Sequence, residues 1–122
     1  MIELSPEELA QYRETVRRRQ AEREQQQQTR QQRGWQVARE AAQVLKQEFG
    51  ARQVWLFGSM LEVKRVRAES DIDLAVAGLP DDRYLEAVVR LLDLSDFSVD
   101  LVQVEHARSR IREVIEQKGV EL

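Results

Sequence analysis

The chain has 122 residues, a formal net charge of −3 and no cysteine. This length holds one domain with a modest core, and the missing cysteine excludes a disulfide framework, a thiolate zinc site and a cysteine nucleophile. The start MIELSPEEL is no signal peptide, and no apolar run approaches the roughly 20 residues of a membrane span, so we expect a cytoplasmic protein that binds no membrane.

The first predicted element is a helix that begins at Ser5. A serine N-cap, Pro6 in the first turn and Glu8 three residues after the cap form a capping box. Three apolar residues follow at helical spacing, namely Leu9, Tyr12 and Val16. Residues 22–33, EREQQQQTRQQR, have no large apolar side chain and hence no face to bury. We interpret residues 1–33 as a helical, Gln/Arg-rich arm that is either solvated or binds a partner or a second copy of the chain.

A second, amphipathic helix is predicted after the arm. Its apolar residues form one stripe: Trp35, Ala38, Ala42, Leu45 and Phe49. Gly50 is a natural C-terminal cap. Gly34 either separates the two helices or is a weak point in one long rod. The folded domain is therefore expected to comprise residues 34–122.

Strands and helices alternate after Gln53. We predict strands at Val54–Phe57, Asp71–Ala77 and Phe97–Val104. A helix capped by Asp81 or Asp82 follows the second strand, with its apolar positions at Leu85, Val88, Val89 and Leu92. The last helix carries Ile111, Val114 and Ile115 and ends at Gly119. This order predicts an α/β (α+β) fold preceded by a long N-terminal helical arm.

Three aspartates lie inside apolar strand patterns, although aspartate is a poor strand former. Asp71 and Asp73 share one face of a strand, with α-carbons roughly 6.6 Å apart. Asp100 lies in the third strand, so three carboxylates converge if these strands are neighbours. Such anions raise one another's pKa, whereas Mg²⁺ prefers oxygen ligands. We interpret them as metal ligands; the alternative is acids on exposed strand faces.

A second motif, Gly58-Ser59, follows the first apolar strand. We expect it to turn into a short helix or a loop, and the free N–H groups at the start of a helix attract an anion. Glycine lets a phosphate approach the backbone, and serine donates from both its N–H and its hydroxyl. Such a turn beside a carboxylate-bound metal serves chemistry on a nucleoside triphosphate. Three basic loop residues, Lys64, Arg65 and Arg67, are interpreted as solvated, with contact to the triphosphate or to nucleic acid as the alternative.

Three separated segments resemble a family signature. FGS at residues 57–59, SDIDLAV at 70–76 and VDLV at 99–102 are similar to the signature of the nucleotidyltransferase superfamily that includes DNA polymerase β. The resemblance is to the minimal nucleotidyltransferases (the MNT group) in particular, and covers roughly residues 35–122. The loop MLEVKRVRAES departs from the family pattern, in which an arginine, small residues and a glycine follow the Gly-Ser pair.

The resemblance implies a small mixed sheet with helices packed against it, and a site with two Mg²⁺ ions and ATP as the substrate. Asp71 and Asp73 would bridge both metals, and Asp100 would bind the catalytic metal and help to activate the attacking hydroxyl. Gly58 and Ser59 would hold the β- and γ-phosphates. The acceptor would attack the α-phosphate, take AMP and release pyrophosphate.

The resemblance also implies a partner. Members of this group are commonly paired with HEPN-domain ribonuclease toxins and act as antitoxins, some by adenylylating a tyrosine of the toxin. Two alternatives stay open: an antitoxin that neutralises its partner by steric contact alone, and nucleotidyl transfer to a small molecule. The three aspartates favour an enzyme, and the unusual loop favours the steric antitoxin. Direct binding to nucleic acid is not expected.

Overall fold

Helices and strands alternate along the chain in a computed structural model that describes residues 3–122. Met1 and Ile2, which belong to the predicted arm, lie outside these residues. The elements are α1 (Pro6–Phe49), β1 (Gln53–Phe57), β2 (Ile72–Ala77), α2 (Tyr84–Leu92), β3 (Val99–Gln103), α3 (Ser109–Lys118) and β4 (Val120–Glu121). Short 3₁₀ turns connect them at Ser59–Leu61, Val63–Arg65, Asp81–Arg83 and Val104–His106. Over residues 3–122, no helix is both long and apolar enough to cross a membrane.

The arm and the second predicted helix form one continuous rod. Helix α1 has 44 residues, which corresponds to about 66 Å. The predicted N-cap is confirmed, because the Glu8 N–H donates to Ser5 Oγ at 3.1 Å, and Gly50 ends the helix with a φ of 72°. Gly34 does not break the rod. It is buried against Met60, and a Cβ at Gly34 would lie 2.6 Å from the Met60 sulfur.

The C-terminal half of α1 packs on one face of the sheet. Four residues of the predicted stripe are buried, namely Ala38, Ala42, Leu45 and Phe49, whereas Trp35 is half-buried at its edge. They share one core with the strand residues Val54, Leu56, Ile72, Leu74, Val76 and Leu101. Helix α3 lies near the opposite face, where Ile115 is buried close to Trp55.

The sheet is mixed, as predicted, with the strand order β3-β2-β1-β4. Strand β1 is antiparallel to β2, and β2 is parallel to β3. Strand β2 begins one residue later than predicted, so Asp71 lies just before it rather than inside it. Strand β3 is shorter than predicted at both ends. The two-residue strand β4, which has no sequence signal of its own, pairs with Trp55 and Leu56.

The predicted orientation of α2 is wrong. Neither Asp81 nor Asp82 caps it, because a 3₁₀ turn precedes the helix and no side chain bonds its N-terminus. Three of the four predicted apolar positions are exposed, Leu85 by 75%, Val89 by 61% and Leu92 by 50%, whereas Val88 packs against the core. The buried residues of α2 are instead Ala87 and Leu91, and on the inward side the Tyr84 hydroxyl donates to the Leu101 carbonyl at 2.6 Å.

The polar part of the arm contacts the domain, although it has no apolar face. Gln27 Nε2 donates to the Val66 carbonyl at 3.0 Å, and Gln31 Nε2 donates to the Met60 carbonyl at 3.0 Å. These bonds arise because the helix runs beside the loop after Gly58 and offers side-chain amides to its carbonyls. The division into an arm of residues 1–33 and a domain of residues 34–122 stays a prediction, with contact already beginning at Gln27.

Two truncations separate the free part of the arm from the part in contact. We expect the chain without residues 1–26 to unfold cooperatively with unchanged stability. Removing residues 1–33 should also leave cooperative unfolding, but should lower the free energy of unfolding by about 2 kcal/mol because several side-chain hydrogen bonds are lost. Urea denaturation followed by circular dichroism measures both values. A molten chain after the shorter deletion would contradict this division.

Candidate functional site

Two of the predicted aspartates face each other on neighbouring strands. Asp73 of β2 is paired in register with Asp100 of the parallel strand β3, and Phe57 of β1 is paired with Asp73 on its other side. Side chains at paired positions point to the same face of a sheet. Both carboxylates therefore lie on the face opposite α1, at the edge where β1 ends and where β2 and β3 begin.

Asp71 approaches this pair from outside the sheet. It is exposed, and it follows a turn in which the Arg67 N–H donates to Ser70 Oγ at 2.8 Å. The sequence predicted that Asp71 shares a strand face with Asp73. Because Asp71 lies outside β2, strand pairing does not fix it on that face. Its charge nevertheless acts on Asp73, as the pKa of that residue indicates.

The electrostatics of the site are those of crowded anions. Partial burial, and then the negative charges of Asp100 and Asp71, raise the pKa of Asp73 from 3.8 to about 6. Burial and like charges both disfavour the ionised carboxylate. Because such perturbed acids concentrate at functional sites, this position is suited to a bound cation.

Gly58 packs against the carboxylate of Asp73. Its φ of 83° and ψ of −154° lie in a backbone region that is essentially restricted to glycine. A Cβ at Gly58 would collide with Oδ2 of Asp73. Glycine therefore brings the end of β1 into contact with the acidic cluster, and the approach of a phosphate to Gly58 stays a prediction.

The segment after Gly58, predicted as a short helix or a loop, is a short 3₁₀ helix, Ser59–Leu61. Only one 3₁₀ turn of three residues follows Gly58, and so short a segment has no helix dipole of consequence. The reason lies in Met60, whose carbonyl accepts hydrogen bonds from Gln31 and from Trp35 Nε1, each at 3.0 Å. Those side chains occupy the carbonyl that a continuing helix would use. Ser59 therefore offers two donors of its own, its N–H and its hydroxyl, rather than the N-terminus of a long helix.

A cavity of about 540 Å³ opens beside the carboxylates, and ligand pockets commonly fall in this size range. Its lining residues are Ser59, Lys64, Arg65, Arg67, Glu69, Ser70, Asp71 and Asp73. The three basic side chains are exposed, as the solvated-loop interpretation requires. They also line the same cavity as Asp71 and Asp73. The sequence signal for this shared cavity is the position of the three basic residues between the Gly-Ser pair and the Asp-x-Asp motif. Cations and carboxylates together suit an anionic ligand that carries a metal.

The donor set fits Mg²⁺ better than a transition metal. Within the part of the chain that the structure describes, no three acidic or histidine side chains are arranged to hold an ion by themselves. Mg²⁺ does not need such a cage, because one or two carboxylates, substrate phosphates and waters usually complete its coordination. Asp73 and Asp100 are paired in register and offer two carboxylates. Because all of their possible ligand atoms are oxygens, they suit a hard cation.

Without metal, Asp73→Asn should be more stable than the wild type at neutral pH. Because the folded-state pKa of Asp73 lies above 3.8, its contribution to stability is fully present below about pH 4 and is lost as the pH rises through about 6. The shift corresponds to at most about 3 kcal/mol, which solvent screening of this half-exposed side chain reduces to about 1 kcal/mol.

Urea unfolding in EDTA, from about pH 4 to about pH 7, measures this difference. Asp93→Asn, which removes an exposed acid at the end of α2, is the control and should follow the wild type. Parallel pH profiles for the wild type and Asp73→Asn would contradict the crowded-anion account.

Comparisons with known proteins agree with this geometry. Residues 39–122 match the family model of polymerase beta nucleotidyltransferases, and this range contains every predicted site residue. A crystal structure of a toxin-antitoxin with AMP-PNP has a similar fold, at 25% identity and a TM-score of 0.57, over 67% of this chain and 69% of that one. The toxin-antitoxin MntA-HepT is similar in fold at 22% identity and a TM-score of 0.55, over 71% and 69% of the two chains. No curated protein sequence matches. The family model spans more than half of the residues, and the chain therefore belongs to the polymerase beta nucleotidyltransferase family.

Proposed function

We propose that this protein is a Mg²⁺-dependent nucleotidyltransferase of the MNT type. In this proposal it transfers AMP from ATP to a tyrosine hydroxyl of a HEPN-domain toxin and so acts as its antitoxin. The observation that carries the proposal is the in-register pair Asp73 and Asp100 beside the Gly58 turn. Crowded carboxylates destabilise a passive binder, whereas a nucleotidyltransferase uses them. The similar toxin-antitoxin structure with AMP-PNP supports a nucleotide as the substrate and a role in a toxin-antitoxin pair.

The triphosphate would occupy the cavity beside the carboxylates. Lys64, Arg65 and Arg67 line it and attract the phosphates. The N–H and hydroxyl of Ser59 donate to the β- and γ-phosphates, and Gly58 leaves room for their close approach. Since the reaction consumes ATP, we place the protein in the cytoplasm.

The carboxylates would hold the metal and move the proton. Asp71, Asp73 and Asp100 would hold the Mg²⁺ ions, and bound Mg²⁺ would supply Lewis-acid neutralisation of the phosphate charge. Asp100 accepts a hydrogen bond from the tyrosine hydroxyl and takes its proton as the oxygen attacks the α-phosphorus. The bond from the α-phosphorus to the bridging oxygen breaks, and pyrophosphate leaves with the electron pair.

A steric antitoxin is the second candidate. The observation that favours it is the exposed apolar stripe of α2, formed by Leu85, Val89 and Leu92, which offers a contact surface that needs no chemistry. A second copy of the chain could also dock on the exposed apolar residues of the arm, Leu9, Tyr12 and Val16. Transfer to a small molecule is the weaker enzymatic alternative.

Intact-mass spectrometry separates these functions. The protein is incubated with ATP, Mg²⁺ and the HEPN-domain protein encoded beside it. We expect the toxin to gain the mass of one or more AMP groups, and peptide mapping to locate them on tyrosine. A toxin that is neutralised without any change in mass would contradict the proposal and favour the steric antitoxin.

A further inference from the structure

The loop between the two halves of the site is held by side chains of α1. This loop, Met60–Ser70, contains only two 3₁₀ turns. Its carbonyls accept hydrogen bonds from α1 at Met60, Lys64, Val66 and Ser70. The donors are Gln27, Arg30 and Gln31, all within the polar arm, together with Trp35. The glutamine-rich segment is therefore a specific support for the loop that carries the cavity.

Arg30 contacts two residues that closely precede the aspartates in the chain. Its Nη2 donates to the Ser70 carbonyl at 3.1 Å, and Ser70 directly precedes Asp71. Its guanidinium also stacks on the ring of Phe97, with Cζ 4.3 Å from the ring centroid. Phe97 is buried and lies three residues before Asp100. One side chain thus touches the segments that lead into β2 and β3.

The two contact points of Arg30 lie just before the place where the strands join. The Ile72 N–H donates to the Ser98 carbonyl at 2.9 Å, just after the contacts at Ser70 and Phe97 on their segments. This placement of Arg30 costs free energy of folding. Its buried Nε has no hydrogen-bond partner among the described residues, and an unsatisfied buried donor is destabilising. The planar guanidinium suits the double task, since it donates in its plane and stacks on its face.

We propose that Arg30 is a positioning residue for nucleotidyl transfer. It fixes the entry of β2 relative to the entry of β3, and so sets the approach of Asp71 to the pair Asp73 and Asp100. The proposal rests on the proposed function. Arg30 lies outside residues 39–122, which match the family model, so the arm of this chain supplies a part of the site that the family match does not include.

Steady-state kinetics of Arg30→Ala, Arg30→Lys and a control test the proposal. Arg19→Ala is the control, because it removes the same charge from an exposed position on the same helix. We expect Arg30→Ala to lower kcat by about 100-fold, as misplaced groups do, with little change in KM for ATP because Ser59 still holds the phosphates. Arg30→Lys keeps the charge and a donor but loses the stacking plane, and its kcat should be intermediate. Arg19→Ala should match the wild type.

A readout independent of turnover accompanies the kinetics. Amide chemical shifts of Asp71, Asp73 and Asp100 should move in Arg30→Ala and in Arg30→Lys, but not in Arg19→Ala. If Arg30→Ala does not fold, Arg30→Lys provides both readouts. A kcat equal to that of Arg19→Ala, with unmoved shifts, overturns the positioning role alone. A wild type that transfers no AMP overturns the proposed function, and the chemical shifts then still decide whether Arg30 positions the aspartates.

Discussion

Asp100→Asn should reduce AMP transfer by about 1000-fold, because a general base contributes on the order of 10² to 10⁴ in rate and the substitution also weakens a metal site. Asparagine has the shape of aspartate but accepts no proton at neutral pH. Asp100 is exposed on β3, so the fold should be unaffected. Transfer of labelled AMP from α-phosphate-labelled ATP gives the rate.

The expected order of effects distinguishes the roles within the site. Ser59→Ala should weaken transfer less than Asp100→Asn, because the backbone N–H still reaches the phosphate. Asp93→Asn, an exposed acid outside the site, should leave the rate unchanged. If Asp100→Asn and Asp93→Asn transferred AMP equally fast, Asp100 would have no part in the chemistry.

Gly58→Ala should abolish most activity and also lower stability. The φ of 83° and ψ of −154° at Gly58 are strained for alanine by about 1–3 kcal/mol, and the added Cβ collides with the carboxylate of Asp73. Asp73 must then move from its register with Asp100. We expect the rate of transfer to fall by about 100-fold, since misplaced reacting groups have effects of this size.

Gly50→Ala is the matched control for Gly58→Ala. Gly50 also has a positive φ, of 72°, but a Cβ there meets nothing within 4 Å. This variant should lose stability through backbone strain and keep its rate of transfer. Equal activities of Gly50→Ala and Gly58→Ala, measured where both are folded, would show that the contact between Gly58 and Asp73 is not needed.

The fold and the strand positions of the candidate residues Asp73 and Asp100 are largely predictable from the sequence, because they depend on local patterns. Alternating apolar residues around Asp73 and Asp100 indicate both strands, and the structure places those strands side by side in parallel. The capping box at Ser5 and the glycine cap at Gly50 indicate both ends of α1. Between these ends, apolar residues that recur every 3.6 residues indicate a helix, and apolar residues that recur every 2 residues indicate a strand.

The orientation of α2 and the course of the chain after Gly58 depend on distant contacts that no local pattern records. The stripe of Leu85, Val89 and Leu92 identifies a face of α2 but does not say whether the sheet covers it. The observed orientation buries Ala87 and Leu91 and includes the hydrogen bond from Tyr84 to Leu101, 17 residues away in the chain. Gln31 bonds the Met60 carbonyl in the short helix after Gly58, 29 residues away in the chain, and a polar helix shows no periodicity that reveals such a contact.

Neutralisation of toxin in molar excess is the most direct test of a catalytic antitoxin. A small amount of the protein is mixed with excess HEPN toxin, Mg²⁺ and ATP, and residual ribonuclease activity and toxin mass are followed together. The wild type should inactivate many toxin molecules per molecule of protein, each carrying AMP, whereas the variant with asparagine at Asp71, Asp73 and Asp100 should inactivate none beyond its own amount. Neutralisation that stops at equal amounts for both proteins, with no AMP on the toxin, would contradict the account.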